Sequence, residues 1–189
     1  MMRIITGKAR GTRLLAPAGE RTRPTAERVK EAVFSMIQFD IEGREVLDLF
    51  AGSGQMGLEA LSRGAAHATF IDHSGDAIQI IRKNAEKTRL LDSCTILQGD
   101  FADVLGRLAG RAKFDIVFID PPYGQGLVAK SLELLDKYRL LGPGALIVCE
   151  GGETDIFGGS PVSSRFEVIK TRKYGITQIT LLSPYRDRD

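Results

Sequence analysis

Four consecutive residues, Asp120-Pro121-Pro122-Tyr123, place a carboxylate, two prolines and an aromatic ring directly after the apolar run 114–119. Proline fixes its φ angle and has no N–H group, so this backbone is stiff and presents carbonyl acceptors. Such a site suits the exocyclic amine of a nucleobase, because the Asp120 carboxylate and the Pro121 carbonyl can accept both amine hydrogens while Tyr123 stacks on the ring. We therefore predict that all four residues are catalytic. A plain strand-to-helix turn is the alternative, and it would explain only one proline.

A glycine-rich segment, Gly52-Ser53-Gly54-Gln55-Met56-Gly57, lies between the apolar run 46–50 and a predicted helix. Glycine lets the backbone approach a ligand closely, and the helix that follows directs its free N–H groups at the same place. The segment therefore predicts a nucleotide pocket. It also has the G-x-G-x-x-G pattern of dinucleotide-binding proteins, so an NAD-dependent oxidoreductase remains open at this point.

Acidic residues lie at or just after the ends of four predicted strands: Asp48 near the end of the first, and Asp72, Asp100 and Asp120 after the next three. In an open α/β sheet, ligands bind outside the carboxyl ends of the strands. Asp72 lies about 20 residues after Gly52, the spacing at which a carboxylate accepts hydrogen bonds from ribose hydroxyls. Asp48 would repel a pyrophosphate but would attract a sulfonium and an ammonium group. This difference favours S-adenosylmethionine over a dinucleotide.

The predicted cofactor site surrounds these strand ends. Asp100 and Phe101 could hold an adenine, with the carboxylate accepting from the amino group and the ring forming an apolar wall, although Asp100 could also cap the helix that follows. The predicted S-adenosylmethionine-binding residues are Asp48, Phe50, Ala51, Gly52, Ser53, Gly54, Asp72, His73, Asp100, Phe101 and Thr25.

Strand and helix patterns alternate between residues 44 and 150. The apolar strand-like runs are 46–50, 68–71, 95–97, 114–119 and 145–149, the last behind a turn at 141–144. Alternation of this kind predicts an α/β fold, a Rossmann-like doubly wound and mostly parallel sheet covered on both faces. Segments 166–174 and 176–182 alternate like two strands and predict an antiparallel pair at the end of the sheet.

The N-terminal region is basic and patterned. The whole chain has a formal net charge of +2, but the first thirty residues carry eight basic side chains against Glu20 and Glu27. Segments 3–6 and 12–15 alternate like a β-hairpin, and Thr25 is predicted to cap a helix. An ordered basic arm beside a less basic body favours a polyanionic substrate.

At these motifs the chain resembles the class I S-adenosylmethionine-dependent methyltransferases and, from Arg3 to about Tyr174, the bacterial 16S rRNA guanine-N2 methyltransferase family. The matching segments are 3–7, 23–25, 28–34, 48–54, 57–64 and 120–123. The glycine turn and the catalytic tetrapeptide occur in many amino-methyltransferases, whereas the arm with Arg23-Pro-Thr25 is more restrictive. Asp72 departs from the family, in which Glu is frequent at this position, but the shorter carboxylate should still reach a ribose.

The resemblance implies a sheet of about seven strands with an antiparallel last strand. It also implies methyl transfer from S-adenosylmethionine to the exocyclic N2 amine of a guanine in 16S rRNA, either free or in a small ribosomal subunit assembly particle. We predict a basic arm over residues 1–24 and a methyltransferase domain over 25–189. The predicted RNA-binding residues are Arg3, Lys8, Arg10, Arg13, Arg21 and Arg23.

Three alternatives stay open. A DNA adenine-N6 or cytosine-N4 methyltransferase would use the same tetrapeptide. An NAD-dependent oxidoreductase would explain the glycine spacing, and a non-catalytic RNA-binding module would explain the arm but not the four acidic strand ends.

Composition and residue spacing also bear on the cellular compartment and on metal or membrane partners. No apolar run approaches the ~20 residues that cross a bilayer, and the N-terminus lacks the apolar region of a signal peptide. Cys94 and Cys149 lie in apolar strand-like runs and predict free, buried thiols in a reducing compartment. The two histidines, His67 and His73, and the cysteines have no metal-site spacing. We therefore expect a cytoplasmic monomer that uses no metal and has no membrane partner.

Overall fold

The computed structural model describes residues 2–16, 24–122, 126–152 and 156–185, with the backbone alone for 24–26. Strands and helices alternate along the central part of the chain. The strands are β1 (Glu45–Leu49), β2 (His67–Asp72), β3 (Cys94–Gln98), β4 (Phe114–Ile119), β5 (Leu141–Gly151), β6 (Phe166–Tyr174) and β7 (Thr177–Pro184). The helices are α1 (Pro24–Met36), α2 (Gln55–Ser62), α3 (Gly75–Thr88), α4 (Phe101–Leu108) and α5 (Leu127–Lys137).

The strands form one sheet in the order β3-β2-β1-β4-β5-β7-β6. Strands β1 to β5 are parallel, and β7, the last strand in the chain, pairs antiparallel with both β5 and β6. The predicted Rossmann-like sheet with an antiparallel last strand is therefore confirmed. The strand order reverses between β1 and β4, which places a ligand crevice at the carboxyl ends of these two strands.

Two apolar layers cover the sheet because successive side chains of a strand point to opposite faces. One layer joins α1, α2, α3 and the N-terminal segment to the sheet through residues such as Phe34, Phe70 and Phe118. The other joins α4 and α5 to it through residues such as Leu47 and Leu132. Burial on both faces explains why β1 and β4 are largely apolar, with Asp48 and Asp115 as the aspartates within them.

The two predicted strands of the N-terminal segment pair only over a short stretch. One antiparallel bridge joins Arg3 to Arg13, with backbone hydrogen bonds from the N–H group of Leu14 to the carbonyl of Met2 and from the N–H group of Ile4 to the carbonyl of Thr12, both at 3.0 Å. The N–H groups of Ile5 and Thr6 donate to the Glu59 carboxylate on α2, at 2.8 and 3.0 Å. The predicted hairpin is therefore reduced to one bridge, and contacts with α2 complete the hydrogen bonding of the segment.

Two local predictions are wrong. Helix α1 begins at Pro24, so Thr25 lies in its first turn and is not the N-cap. Proline suits the first helical position because its φ angle is already helical and its missing N–H group is not needed there. The predicted turn at 141–144 lies within β5, where the pairing with β4 shifts register between Leu141 and Leu146.

Candidate active site

A cavity of about 650 Å³ opens at the carboxyl ends of the strands, next to the point where the strand order reverses. Its described lining residues come from the ends of β1, β2, β3 and β4 and from α3, α4 and α5. They are Phe50, Gly52, Ile71, Asp72, His73, Ser74, Ala77, Gly99, Asp100, Phe101, Asp120, Pro121, Pro122 and Leu127.

The glycine turn after β1 has an unusual backbone. Gly52 and Gly54 have φ angles of 54° and 74°, and Phe50 has a φ angle of 68° although it carries a side chain. A large residue in this left-handed region is strained, and such residues cluster at functional sites. The conformation brings the Phe50 ring to 4.9 Å from the ring of Phe101, measured between centroids. Together the two rings form one apolar wall of the cavity.

The third glycine of the motif serves packing. A Cβ atom on Gly57 would lie 2.4 Å from the ring of Phe70, which is fully buried on β2. Helix α2 can therefore approach β2 this closely only with glycine at this position.

Asp72 joins the glycine turn to the end of β2. One carboxylate oxygen accepts from the N–H group of Gly52 at 2.8 Å, and the other accepts from that of Ser74 at 2.9 Å. These hydrogen bonds fix the carboxylate at the cavity wall, where its remaining lone pairs can meet two hydroxyl groups of a ligand. His73, beside it, has a side chain that is 83% exposed.

Asp100 caps α4 and also lines the cavity, while its predicted contact with an adenine remains a prediction. Its carboxylate caps α4 by accepting from the N–H groups of Ala102 and Asp103, at 2.9 and 3.4 Å. The same residue lines the cavity beside Phe101. The cap orients the carboxylate, and the neighbouring ring offers a flat apolar surface.

Asp48 lies behind the cavity wall and is only 4% exposed. Its carboxylate accepts one hydrogen bond, from the N–H group of Gly57 at 2.9 Å. Burial raises the pKa of Asp48 from 3.8 to about 7; the charge of Asp72 adds to this increase, and the hydrogen bond from Gly57 opposes it. A cationic ligand above the glycine turn would favour the ionised form of this carboxyl group.

The cavity brings together nine of the residues predicted from the sequence. Four others, Asp48, Ala51, Ser53 and Gly54, form the structure behind its wall, and their direct contact with a cofactor remains a prediction. Tyr123 and the side chain of Thr25 lie outside the described residues.

Sequence reasoning missed Ile71, Ser74, Ala77, Gly99 and Leu127 as lining residues. Ser74 carries a signal, because serine is a preferred N-cap residue and the cap of a helix that follows a strand end must lie at this edge. The other four are small or apolar, and their residue types give no chemical indication of a ligand.

The predicted RNA-binding residues are spread along the N-terminal segment. Arg3, Lys8, Arg10 and Arg13 are exposed, and Arg3 pairs with Glu27 at 2.8 Å. The N–H group of Lys8 donates to the carbonyl of Ser62, at the end of α2 opposite the cavity. Arg21 and Arg23 lie outside the described residues, and the RNA contacts of all six remain predictions.

Across the described ranges, no group of His, Cys, Asp and Glu side chains is arranged to hold a metal ion, and no helix is long and apolar enough to cross a membrane. Both cysteines are free; Cys149 is buried and Cys94 half-buried. Burial raises the pKa of both thiols, that of Cys94 to about 12, so neither is activated as a nucleophile.

Comparison with known proteins places the chain in a family. A family model described as "Conserved hypothetical protein 95" matches residues 2–183. The chain belongs to this family.

The named relatives and structures are methyltransferases. "Putative rRNA methyltransferase YlbH" of Bacillus subtilis is 37% identical over 183 residues, which cover 95% of this chain and 97% of that protein. "Ribosomal RNA small subunit methyltransferase D" of Escherichia coli is 37% identical over 149 residues, 79% of this chain and 74% of that one. The solved "Putative methyltransferase yhhF from Escherichia coli" is 31% identical and superposes with a TM-score of 0.85 over 98% of both chains.

As a member of the Conserved hypothetical protein 95 family, the chain is a methyltransferase, and the predictions of its family and enzyme class are confirmed. The NAD-dependent oxidoreductase suggested by the glycine spacing finds no support among these relatives. The glycine pattern alone could not separate the two classes because it describes the backbone conformation of the turn and not the charge of its ligand.

Proposed function

We propose that the protein transfers a methyl group from S-adenosylmethionine to the exocyclic N2 amine of a guanine in 16S rRNA. One observation carries the proposal: a single cavity joins the glycine turn and Asp72 to the Asp120-Pro121-Pro122 turn. The first part suits a nucleoside-containing methyl donor, and the second suits an amine acceptor. The relatives named ribosomal RNA small subunit methyltransferase D support rRNA as the acceptor.

Residues around the cavity match the ribose, the adenine and the positive charge of the methyl donor. Asp72 would accept hydrogen bonds from the ribose hydroxyls, and the wall formed by Phe50 and Phe101 would pack against the adenine. Asp100 would accept from the adenine amino group. Asp48, buried beneath the glycine turn, would stabilise the positive charge of the donor. When bound, S-adenosylmethionine supplies an electrophilic methyl group on a cationic sulfur.

The acceptor amine needs positioning because its lone pair is delocalised into the guanine ring. The Asp120 carboxylate and the Pro121 carbonyl would accept its two hydrogens, favour a more tetrahedral nitrogen and direct the lone pair at the methyl carbon. Pro122 would keep the turn rigid, and Tyr123 would stack on the base. The nitrogen–carbon bond forms as the carbon–sulfur bond breaks, and the amine then releases one proton to Asp120 or to water.

The target base must leave its stack before it can enter the site, which costs a few kcal/mol. The basic arm over residues 1–24 would help to meet this cost by contacting phosphates, and the domain over residues 25–189 would carry the reaction. We propose that the protein acts in the cytoplasm as a monomer, on free rRNA or on a small ribosomal subunit assembly particle.

Transfer of a labelled methyl group tests this proposal directly. The protein is incubated with labelled S-adenosylmethionine and with small-subunit particles, naked 16S rRNA or duplex DNA, and the products are digested to nucleosides. N2-methylguanosine from RNA is the expected product. N6-methyladenine or N4-methylcytosine from DNA would instead support a DNA methyltransferase, and calorimetric binding of NAD without binding of S-adenosylmethionine would support an oxidoreductase.

A further inference from the structure

A second carboxyl group, that of Glu150, lies beside the acceptor turn, the segment Asp120-Pro121-Pro122 that is proposed to hold the acceptor amine. Ile119, the last residue of β4, pairs with Cys149 on β5, so Asp120 directly after β4 lies next to Glu150 on β5. Neighbouring strands are about 4.8 Å apart. The two carboxyl groups therefore leave the sheet side by side at the same edge.

Side-chain alternation places the pair on one face of the sheet. Phe118 and Val148 are paired and belong to the apolar layer that contacts α1 and α2. Glu150 follows two residues after Val148 within β5 and so lies on that face. Asp120 leaves the end of β4 two residues after Phe118, and we infer that it starts from the same face. On the other side of β5, Glu150 pairs with Ile179 of β7, and Ile179 belongs to the same apolar layer.

Glu150 lies on the side from which the acceptor must approach. The described lining of the cofactor cavity comes from the ends of β1 to β4 and from α3 to α5, and no residue of β5 contributes to it. A methyl donor held by the glycine turn and Asp72 occupies the β1 side of Asp120 in that cavity, because β4 lies between β1 and β5. The β5 side of Asp120, where Glu150 lies, is left for the base that receives the methyl group.

The Glu150 carboxyl group lacks a protein partner among the residues that the structure describes, since none donates a hydrogen bond to it or forms a salt bridge with it. The residue is half-buried, and burial raises the pKa of this carboxyl group. Burying a carboxyl group costs free energy when no hydrogen-bond donor replaces the water that it loses. Such groups are frequent at functional sites. A hydrogen-bond donor on the substrate would supply the missing partner.

We propose that Glu150 recognises guanine by accepting a hydrogen bond from its N1–H group while Asp120 and Pro121 hold the adjacent N2 amine. This inference rests on the proposed function. In guanine, the ring nitrogen beside the exocyclic amine carries a hydrogen. In adenine and cytosine the corresponding ring nitrogen is an unprotonated acceptor, which a carboxylate would repel. Glu150 would therefore select guanine among the three amines that an Asp-Pro-Pro-Tyr site can accept.

The test compares two bases in the wild type and in Glu150→Gln. The guanine identified by nucleoside analysis is replaced in the RNA by 2-aminopurine, which keeps the N2 amine but has an unprotonated N1. The wild type should prefer guanine in kcat/KM by about tenfold to hundredfold, as expected for one specific hydrogen bond to a base. The glutamine amide can donate to an unprotonated N1. Glu150→Gln should therefore methylate guanine more slowly, and its ratio of kcat/KM for guanine to kcat/KM for 2-aminopurine should lie within a few-fold of one.

Two further variants show whether the effect belongs to the carboxylate of Glu150 and not to the loss of any negative charge. Glu167→Gln, at an exposed carboxylate on the edge strand β6, should keep the wild-type preference. Glu150→Asp keeps a carboxylate and should retain the preference at a lower rate, which also provides a test if Glu150→Gln does not fold. Binding of S-adenosylmethionine should be the same in all of them.

The outcomes separate the two proposals. If the wild type methylates guanine N2 but Glu150→Gln or Glu150→Ala keeps the full preference for guanine, the recognition by Glu150 is wrong and the proposed function stands. If the wild type forms no N2-methylguanosine in any RNA, the proposed function itself is wrong.

Discussion

Asp48 is buried beneath the glycine turn, and the pKa of about 7 that results has consequences for both stability and binding. An unfolded aspartate loses its proton near pH 4, whereas the folded protein keeps it up to about pH 7. The folded state therefore binds more protons within this window, and the stability contributed by Asp48 falls as the pH rises through it. A cationic ligand favours the ionised form, so its affinity should rise over the same window.

Replacing Asp48 by Asn should separate these two effects. For the wild type, the Kd for S-adenosylmethionine should fall about tenfold per pH unit below pH 7 and become constant above it. Asp48→Asn should bind more weakly at pH 8 and lose this dependence, while its free energy of unfolding at pH 8 should rise by up to about 4 kcal/mol because the buried charge is gone. Calorimetric titration and urea unfolding at several pH values measure both quantities.

Asp92→Asn, at an exposed position, is the control for the general effect of removing a negative charge. An affinity that changes with pH equally in the wild type and in Asp48→Asn would contradict the assignment of Asp48.

Individual residues at the strand ends were predictable because their types and order carry chemical information. Asp72 and Asp100 could be placed at the cavity from the strand pattern alone. The burial of Asp48 could not, because it depends on the packing of α2 against this face of β1, where the N–H group of Gly57 donates to the carboxylate. The left-handed φ angle of Phe50 was not predictable either, since residues with side chains rarely adopt such angles.

Among the elements, the N-terminal segment shows how tertiary contacts supplement a short local pairing. The side chain of Ser62 accepts from the N–H group of Ala9, and Asn84 exchanges hydrogen bonds with both backbone groups of Leu15. Asn84 also donates to the carbonyl of Ser53 in the glycine turn. The segment is thus attached to α2 and α3 and, through Asn84, to the turn that borders the cavity.

Gly7 is the position at which this attachment is most sensitive to substitution. A Cβ atom there would lie 1.8 Å from the carbonyl oxygen of Ser62, and the φ angle is +87°. Gly7→Ala should detach the segment from α2, lower the melting temperature and speed proteolysis within the first sixteen residues. Binding of S-adenosylmethionine should change little, because the cavity residues are untouched.

Gly11→Ala is a matched control for Gly7→Ala. Gly11 has a similar φ angle of +83°, but nothing lies within 4 Å of its Cβ position, so this variant should cost only the strain of a left-handed residue, about 1 kcal/mol. Equal protease resistance of the two variants would show that the contact with Ser62 does not hold the segment.

Strands and helices of the sheet were predictable because each buries a continuous or periodic apolar surface. The short extent of the N-terminal hairpin was not, because its alternation is equally consistent with a segment that lies mainly on a helix. The partners that decide between these structures, Glu59 and Ser62, are more than fifty residues away in sequence. No local pattern contains that information.

At the scale of the whole molecule, the arm and the acceptor turn lie at different places. Lys8 is attached to the end of α2 that is opposite the cavity, and a helix of eight residues is about 12 Å long. RNA that contacts Lys8 and Arg10 while its target base lies beside Asp120 must therefore span at least the length of this helix. We expect a folded RNA or an assembly particle to reach both places more readily than a short RNA.

Charge reversal at Lys8 and Arg10 tests this arrangement. The double variant Lys8→Glu/Arg10→Glu should raise the KM for small-subunit particles by about tenfold or more and reduce the salt dependence of binding, because two phosphate contacts are lost. It should change kcat/KM little for a short RNA that carries only the target loop. Arg111→Glu, at an exposed site next to the amino end of β4, should affect neither substrate. Equal losses on both substrates would contradict a separate role for the arm.

The overall fold followed from the sequence more fully than the site did. Alternating strands and helices define a doubly wound sheet, and the sheet defines the edge at which a ligand binds. The side from which the acceptor enters depends on the pairing of β4 with β5, and this register depends on the shift between Leu141 and Leu146 within β5. The sequence around 141–144 indicated a turn and gave no sign of that alignment.

The central claim is that the turn beginning at Asp120 positions a guanine amine for methyl transfer. Single-turnover methylation of small-subunit RNA by the wild type and by Asp120→Ala, with the Kd for S-adenosylmethionine measured in parallel, tests it most directly. We predict that Asp120→Ala binds the methyl donor within a few-fold of the wild type and forms N2-methylguanosine at least about a hundredfold more slowly, since positioning of the amine accounts for most of the catalysis. Methylation at a near-normal rate, with donor binding intact, would contradict the claim.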